Sequence, residues 1–166
     1  MAIGVRLGDP TGGTLKKYFD NDFALEFNFG MPTYLIGGYD YENYYNDKYK
    51  KNGYYGYGYK SKFRYDLQLH FTKLFDIKSV DGLQWYAGGG LQFRQQFLEY
   101  TYYDYYGKPY TENASVAQFG LDVVGGAEYT FSNVPFSLFA DVTTFVNFIN
   151  GAGVYFQPGV GGRYNF

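Results

Sequence analysis

The chain has 166 residues, a formal charge of −2 and no cysteine, and its length suits a single domain spanning residues 1–166. Those facts exclude a disulfide framework, a thiolate zinc site, a cysteine nucleophile and a strongly basic nucleic-acid binder. The 22 Tyr, 17 Phe and 23 Gly suit strands and turns and suit helix interiors badly, which excludes a helical bundle.

No run of about 18 apolar residues occurs, so no transmembrane helix is expected. Mean hydropathy is −0.37 although 46% of the residues are apolar, so apolar side chains must be interleaved with polar ones. The opening Met-Ala-Ile-Gly-Val-Arg has neither the charged n-region nor the apolar h-region of a signal peptide. Either the protein stays in the cytosol or the sequence starts at a mature end with Met1 added, and the strand pattern favours the second.

Alternation of apolar and polar residues marks a strand with two different faces. At the start, Ile3, Val5 and Leu7 oppose Arg6. Residues 13–19 form the weakest segment, where Leu15 and Phe19 share a face with Lys17 while Thr14, Lys16 and Tyr18 share the other. Residues 23–41 set Phe23, Leu25, Phe27, Phe29, Met31 and Leu35 against Glu26, Asn28 and Asp40. The clearest segment sets Phe63, Tyr65, Leu67, Leu69 and Phe71 against Arg64, Asp66, Gln68, His70 and Thr72. Residues 85–97 set Trp85, Ala87, Leu91, Phe93 and Phe97 against Tyr86, Gln92, Arg94 and Gln96. Residues 117–131 set Phe119, Leu121, Val123, Ala127, Tyr129 and Phe131 against Gln118, Asp122, Glu128 and Thr130. Residues 136–148 alternate imperfectly, because Phe139 and Phe145 fall among Ser137, Asp141, Thr143 and Asn147. The last segment sets Val154, Phe156, Val160, Tyr164 and Phe166 against Gln157, Arg163 and Asn165.

Eight such segments joined by tight turns at one end and by polar stretches 42–60 and 102–115 at the other describe a barrel. The expected fold is all-β: an eight-stranded antiparallel up-and-down transmembrane β-barrel with short periplasmic turns and two long extracellular hairpin loops. The polar face decides which side meets lipid. It carries Arg6, Lys16, Arg64, Arg94 and Arg163 against Glu26, Asp66, Asp122, Glu128 and Asp141. A soluble barrel would send the Phe and Leu side chains inward, and an eight-stranded lumen is too narrow for so many. The inverse arrangement gives each lumen charge a partner, as desolvation demands. Aromatic residues cluster at both ends of the segments, matching the girdles of a membrane barrel.

The ending Val160-Gly161-Gly162-Arg163-Tyr164-Asn165-Phe166 resembles the last strand of bacterial outer-membrane proteins, with a terminal Phe and an aromatic two residues earlier. The chain as a whole is similar to small eight-stranded barrels of the OmpX/Ail type and similar small barrels of Bacteroidota. That resemblance implies outer-membrane localisation, contact with outer-membrane lipid and lipopolysaccharide, and reading of Tyr164 and Phe166 by the barrel-assembly machinery. Gly162 and Pro158 depart from the bulky outward positions of that pattern.

Fifteen of the 22 tyrosines fall in residues 39–59 and 100–110. Tyr with Gly, Asn and Asp is the chemistry of binding loops, so Tyr44, Tyr45, Tyr49, Tyr54, Tyr55, Tyr57, Tyr102, Tyr103, Tyr105 and Tyr106 are candidates for recognition of a surface protein or glycan. The competing reading is of strands extended past the membrane, with Tyr suited to β-structure. Lys48, Lys50, Lys51, Lys60 and Lys62 could meet lipid A phosphates, but Asp40, Glu42 and Asp47 favour a solvated mixed-charge loop. A Ser-His-acid set of Ser137, His70 and Asp66 is outweighed by a lumen histidine bonded within the charge network. Gly88-Gly89-Gly90 lies mid-strand and reads as relief of crowding. The expectation is a non-enzymatic barrel without an open pore, without cofactor or metal and without nucleic-acid binding. Its role is surface binding or a structural part in an outer-membrane complex. A lipid-modifying enzyme and a small passive pore are the alternatives.

Overall fold

In a computed structural model describing residues 1–33, 57–149 and 153–166, eight antiparallel strands run in chain order. They are β1 (Ala2–Gly8), β2 (Thr11–Phe19), β3 (Phe23–Met31), β4 (Tyr57–Asp76), β5 (Leu83–Tyr103), β6 (Pro109–Thr130), β7 (Phe136–Asn147) and β8 (Gly153–Asn165). Each pairs with the next, and β1 pairs with β8 from Ala2–Asn165 to Gly8–Gly159, which closes the barrel. Closure leaves no free sheet edge along the spanning section, as hydrocarbon requires.

The strict period of two fixes which residues point inward. Arg94 and Glu128 are 1% exposed, whereas Val123 is 64% and Leu67 37% exposed. The charged face therefore lines the lumen and the apolar face lines the outside, the reverse of a soluble barrel. Phe19, Phe71, Trp85, Phe136 and Tyr164 ring the turn end of the outer face, and Phe63, Phe97, Phe119 and Phe156 ring the other. Gly162, an outward position without a side chain, is covered by the ring of Phe136, which would stand 2.6 Å from any Cβ there. A cross-strand aromatic thus fills the gap left in the apolar girdle.

Strand lengths make the barrel lopsided. Pairing of β3 with β4 stops at Gly30–Asp66, and pairing of β6 with β7 stops at Gly120–Asn147. Beyond those points β4, β5 and β6 continue as a three-stranded sheet to Tyr102–Tyr57 and Tyr103–Pro109. A tilted membrane strand needs about 9–11 residues, and these three have 20, 21 and 22. This corrects the expectation of a long polar loop over 102–115: most of it is ladder, and only Asp104–Lys108 turns. The membrane pattern does not mark this stretch, because above the belt its sense reverses: Leu98, Tyr102 and Val116 are buried on the inner face while Asn113 and Ser115 are exposed on the outer. The other stretch expected as a loop, 42–60, is strand from Tyr57 onward, and its earlier part lies outside the described residues, as do Leu35, Tyr39, Asp40 and Tyr41. At the opposite end the β2–β3 turn places Asn21 and Asp22 at φ of 70° and 63°, a left-handed conformation that Asn and Asp tolerate.

Candidate functional site

The lumen is filled with side chains in three contiguous groups. Nearest the turn end, Arg163 Nη2 lies 2.7 Å from Glu26 and its Nη1 2.6 Å from Glu128, while Lys16 lies 2.9 Å from Glu128 and 3.8 Å from Glu26. Tyr18 donates to Glu128, and Thr14 accepts from Arg163. The Arg163 guanidinium also sits 3.7 Å from the centre of the Phe139 ring. Below this group, Ala24, Leu74, Tyr86 and Val124 pack together.

A second group joins Arg6 to Asp141 at 2.8 Å, and the Tyr86 hydroxyl donates to the same Asp141 oxygen. The third, nearest the long hairpins, holds Asp66 between Arg94 Nε and Nη2 in a bidentate pair at 2.8 and 2.7 Å. Gln92 donates to Asp66, and Gln68 bridges Gln92, Asn28 and Gln157. His70 Nε2 lies 2.9 Å from Asp122. From Arg94 through Asp66, Gln92, Gln68, Asn28 and Glu26 to Arg163, successive polar contacts run the length of the spanning section.

Of the lumen residues read from the sequence, Arg6, Glu26, Asp66, Arg94, Asp122, Glu128, Asp141 and Arg163 are buried, each with a partner named above. Arg64 is half-buried one inward position above Asp66. His70 bonds Asp122 rather than Asp66, its neighbour four residues away on β4. Ser137 accepts from Asn165 and Thr130, with neither His70 nor Asp66 among its bonds, so these three residues do not form a Ser-His-acid set. Lys16, also read as a lumen charge, is buried beside Glu26 and Glu128, whereas the sequence does not show the bonding roles of Tyr18, Tyr86, Gln68 and Gln92, which alternation places on the same polar face.

Glycines on the lumen side make this filling sterically possible. A Cβ at Gly159 would stand 2.2 Å from the Arg6 guanidinium carbon, and one at Gly161 would stand 2.5 Å from the Phe139 ring. Gly90, in the triple glycine, similarly yields to the His70 ring at 2.8 Å. The Phe residues that broke the alternation of β7 are thus inward and buried, occupying space vacated by glycine on neighbouring strands.

Outside the membrane the hairpin of β5 and β6 presents aromatic surface. Tyr105 and Tyr106 are 81% and 90% exposed, with their rings edge to face at 5.6 Å. Asp104 Oδ1 accepts from the backbone N–H groups of Tyr106 and Lys108, and Gly107 takes a φ of 76°, so side-chain capping fixes the turn. Tyr103 is exposed on the outer face of the sheet. Tyr102 points to the inner face, is buried and donates to Glu112, so the sequence expectation of an exposed surface does not hold for it. Tyr57 belongs to β4. Tyr44, Tyr45 and Tyr49, with Tyr54, Tyr55 and the cluster Lys48, Lys50 and Lys51, lie outside the described residues. Tyr164 and Phe166 are exposed on the outer face at the turn end, and Phe166 N–H donates to Met1.

No family model and no curated protein sequence matches the chain. Among solved structures it is similar to Ail, the attachment invasion locus protein of Yersinia pestis, at a TM-score of 0.54 and 12% identity, covering 99% of this chain and 95% of that one. The fold is that of the small outer-membrane β-barrels. A major outer membrane protein of Thermus thermophilus matches at 0.51 and 14% identity over 99% and 97% of the two chains. The N-terminal β-barrel domain of Pseudomonas aeruginosa OprF matches at 0.50 and 17% identity over 99% and 93%. As in any such barrel, the apolar girdle of this chain suits hydrocarbon and its ion pairs occupy the interior.

Proposed function

We propose that the chain is an integral outer-membrane barrel, not an enzyme and not an open pore, that presents the β5–β6 hairpin as a surface-binding element. The observation that carries this reading is the pair Tyr105 and Tyr106, almost fully exposed on a turn fixed by Asp104, above a lumen closed by ion pairs. Rigid exposed tyrosines supply contact area at little conformational cost. The lumen supports a sealed barrel, since Arg163, Glu26, Glu128, Lys16, Arg94 and Asp66 occupy its axis. One structural neighbour, Ail, has also been solved with the heparin analogue sucrose octasulfate, which supports including sulfated glycans among the probes.

The test displays wild type and a Tyr105→Ser/Tyr106→Ser variant on cells and measures binding to an array of neutral and sulfated glycans and to purified extracellular-matrix proteins. Loss of two aromatic anchors from an interface centre is expected to weaken binding by about tenfold or more. Equal binding by both would refute the hairpin as the binding element.

A further inference from the structure

The outer faces of the spanning strands carry two charges below the Phe63–Phe97 belt among the described residues: Lys17 on β2 and Lys73 on β4, both exposed. They flank β3 at the turn end. Phe19 pairs with Phe23 and Phe23 with Lys73, forming one row, while Lys17 pairs with Leu25 and Leu25 with Phe71, forming the next row toward the midplane. Lys17 Nζ lies 5.3 Å from the Phe19 ring centre, and Lys73 Nζ lies 5.5 and 5.6 Å from those of Phe23 and Phe75. The rings themselves are fixed, since Phe23 stacks on Phe71 at 5.2 Å and Phe75 on Trp85 at 4.1 Å. Among the described residues no carboxylate lies within ion-pair distance of either lysine, although the lumen lysine, Lys16, has two. The neighbouring acids, Asp20 and Asp22 of the β2–β3 turn and Asp76 at the end of β4, make no ion pair with either lysine, and Asp76 accepts from Gln84.

We propose that Lys17 and Lys73 bind the phosphate of an anionic phospholipid in the leaflet at the turn end of the barrel. This rests on the reading of the chain as a membrane barrel and adds a specific lipid site to it. A charge on the lipid face is costly at the midplane and nearly free at the interface, so both ammonium groups must extend along their stems to headgroup depth. There the opposite charge within reach is lipid phosphate. Two ammonium groups on either side of one strand can share one headgroup, and the aromatic rings beneath them limit where they point. An anionic lipid is favoured over a zwitterionic one because the latter brings its own ammonium to a site that already holds two.

The experiment reconstitutes the full chain in vesicles of phosphatidylcholine containing a minor fraction of phosphatidylglycerol and measures the motionally restricted fraction of each spin-labelled lipid. Wild type is expected to prefer phosphatidylglycerol roughly five- to thirtyfold per site, the lower bound for one lysine and the upper for both at about 1 kcal/mol each near the surface. Lys17→Gln/Lys73→Gln should abolish that preference, Lys17→Arg/Lys73→Arg should retain it, and Lys60→Gln/Lys62→Gln at the opposite end should leave it unchanged. Insertion of every variant is read independently from the heat-dependent shift of its electrophoretic mobility. A preference that persists in the glutamine variant, that disappears with Lys60 and Lys62, or that is absent from inserted wild type overturns the site while leaving the barrel intact. Failure of wild type to insert overturns both.

Discussion

Arg163→Met tests whether the lumen charges are held in a dry interior. Arg163 is fully buried, makes ion pairs of 2.7 and 2.6 Å with Glu26 and Glu128, and covers the Phe139 ring. Its removal leaves two buried carboxylates sharing one ammonium, Lys16, which is 2.9 Å from one and 3.8 Å from the other. Breaking a buried pair from one side costs about 3–5 kcal/mol, because the abandoned charge cannot return to water. The double variant Arg163→Met/Glu26→Leu removes one charge of each sign and replaces both with apolar volume. It is expected to recover to within about 1–2 kcal/mol of wild type, since apolar replacements of buried pairs are often near neutral. The coupling between the two positions should therefore be at least about 2 kcal/mol. Urea unfolding in detergent micelles, followed by the fluorescence of Trp85 and by unheated electrophoresis, reads all four proteins of the cycle: wild type, Arg163→Met, Glu26→Leu and the double variant. A loss below about 1 kcal/mol in the single variant, or strict additivity in the double, would show a wet and screened lumen and refute the reasoning.

Gly159→Ala should lower stability by about 1–3 kcal/mol in the same assay, because the added methyl overlaps the Arg6 guanidinium and disturbs its pair with Asp141. Gly125→Ala, whose nearest atom would be 3.9 Å away, should shift it by less than about 0.5 kcal/mol. Asp9, in the turn between β1 and β2 and outside the membrane-spanning strands, is pushed up to about 6 by burial, against the opposing pull of Arg94. A carboxyl whose folded value is raised favours folding while it is protonated, so its contribution falls as pH rises from about 4 through about 6. Asp9→Asn should flatten stability against pH across that window, as measured by urea midpoints at half-unit intervals.

The legible part of this fold is whatever depends on period two. Alternation identified the inward residues of β4 and β8 and the outward girdle, because one face must be charged and the other apolar along the whole spanning section. It failed in three physically distinct ways. In the upper β5–β6 hairpin the sense of alternation reverses, with Leu98, Tyr102 and Val116 inward and Asn113 and Ser115 outward, so the ladder from Glu99–Asn113 to Tyr103–Pro109 reads as a loop beside the membrane pattern. The pairing of charges across the lumen depends on which strands face one another through the axis. Lys16 on β2 reaches Glu128 on β6 and Arg163 on β8 reaches Glu26 on β3, pairs that no single strand shows. Phe139 and Phe145 read as defects because a single strand does not show the glycines beside it. A Cβ at Gly161 would stand 2.5 Å from the Phe139 ring and one at Gly120 2.8 Å from the Phe145 ring. At the candidate surface site, the exposure of Tyr105 and Tyr106 but not Tyr102 depends on the turn at Asp104 and on the face of the sheet, and composition carries neither.

The claim on which everything else depends is that hydrocarbon surrounds the outer face. Depth-dependent quenching by lipids brominated at different positions along the acyl chain measures it directly. Val123→Trp in a Trp85→Phe background places the only tryptophan at an outward mid-strand position. The account predicts strongest quenching there by bromines deep in the chain, and strongest quenching of the wild-type Trp85 by bromines near the headgroup. Quenching of the Val123→Trp protein by aqueous iodide, with no response to brominated lipid, would contradict it.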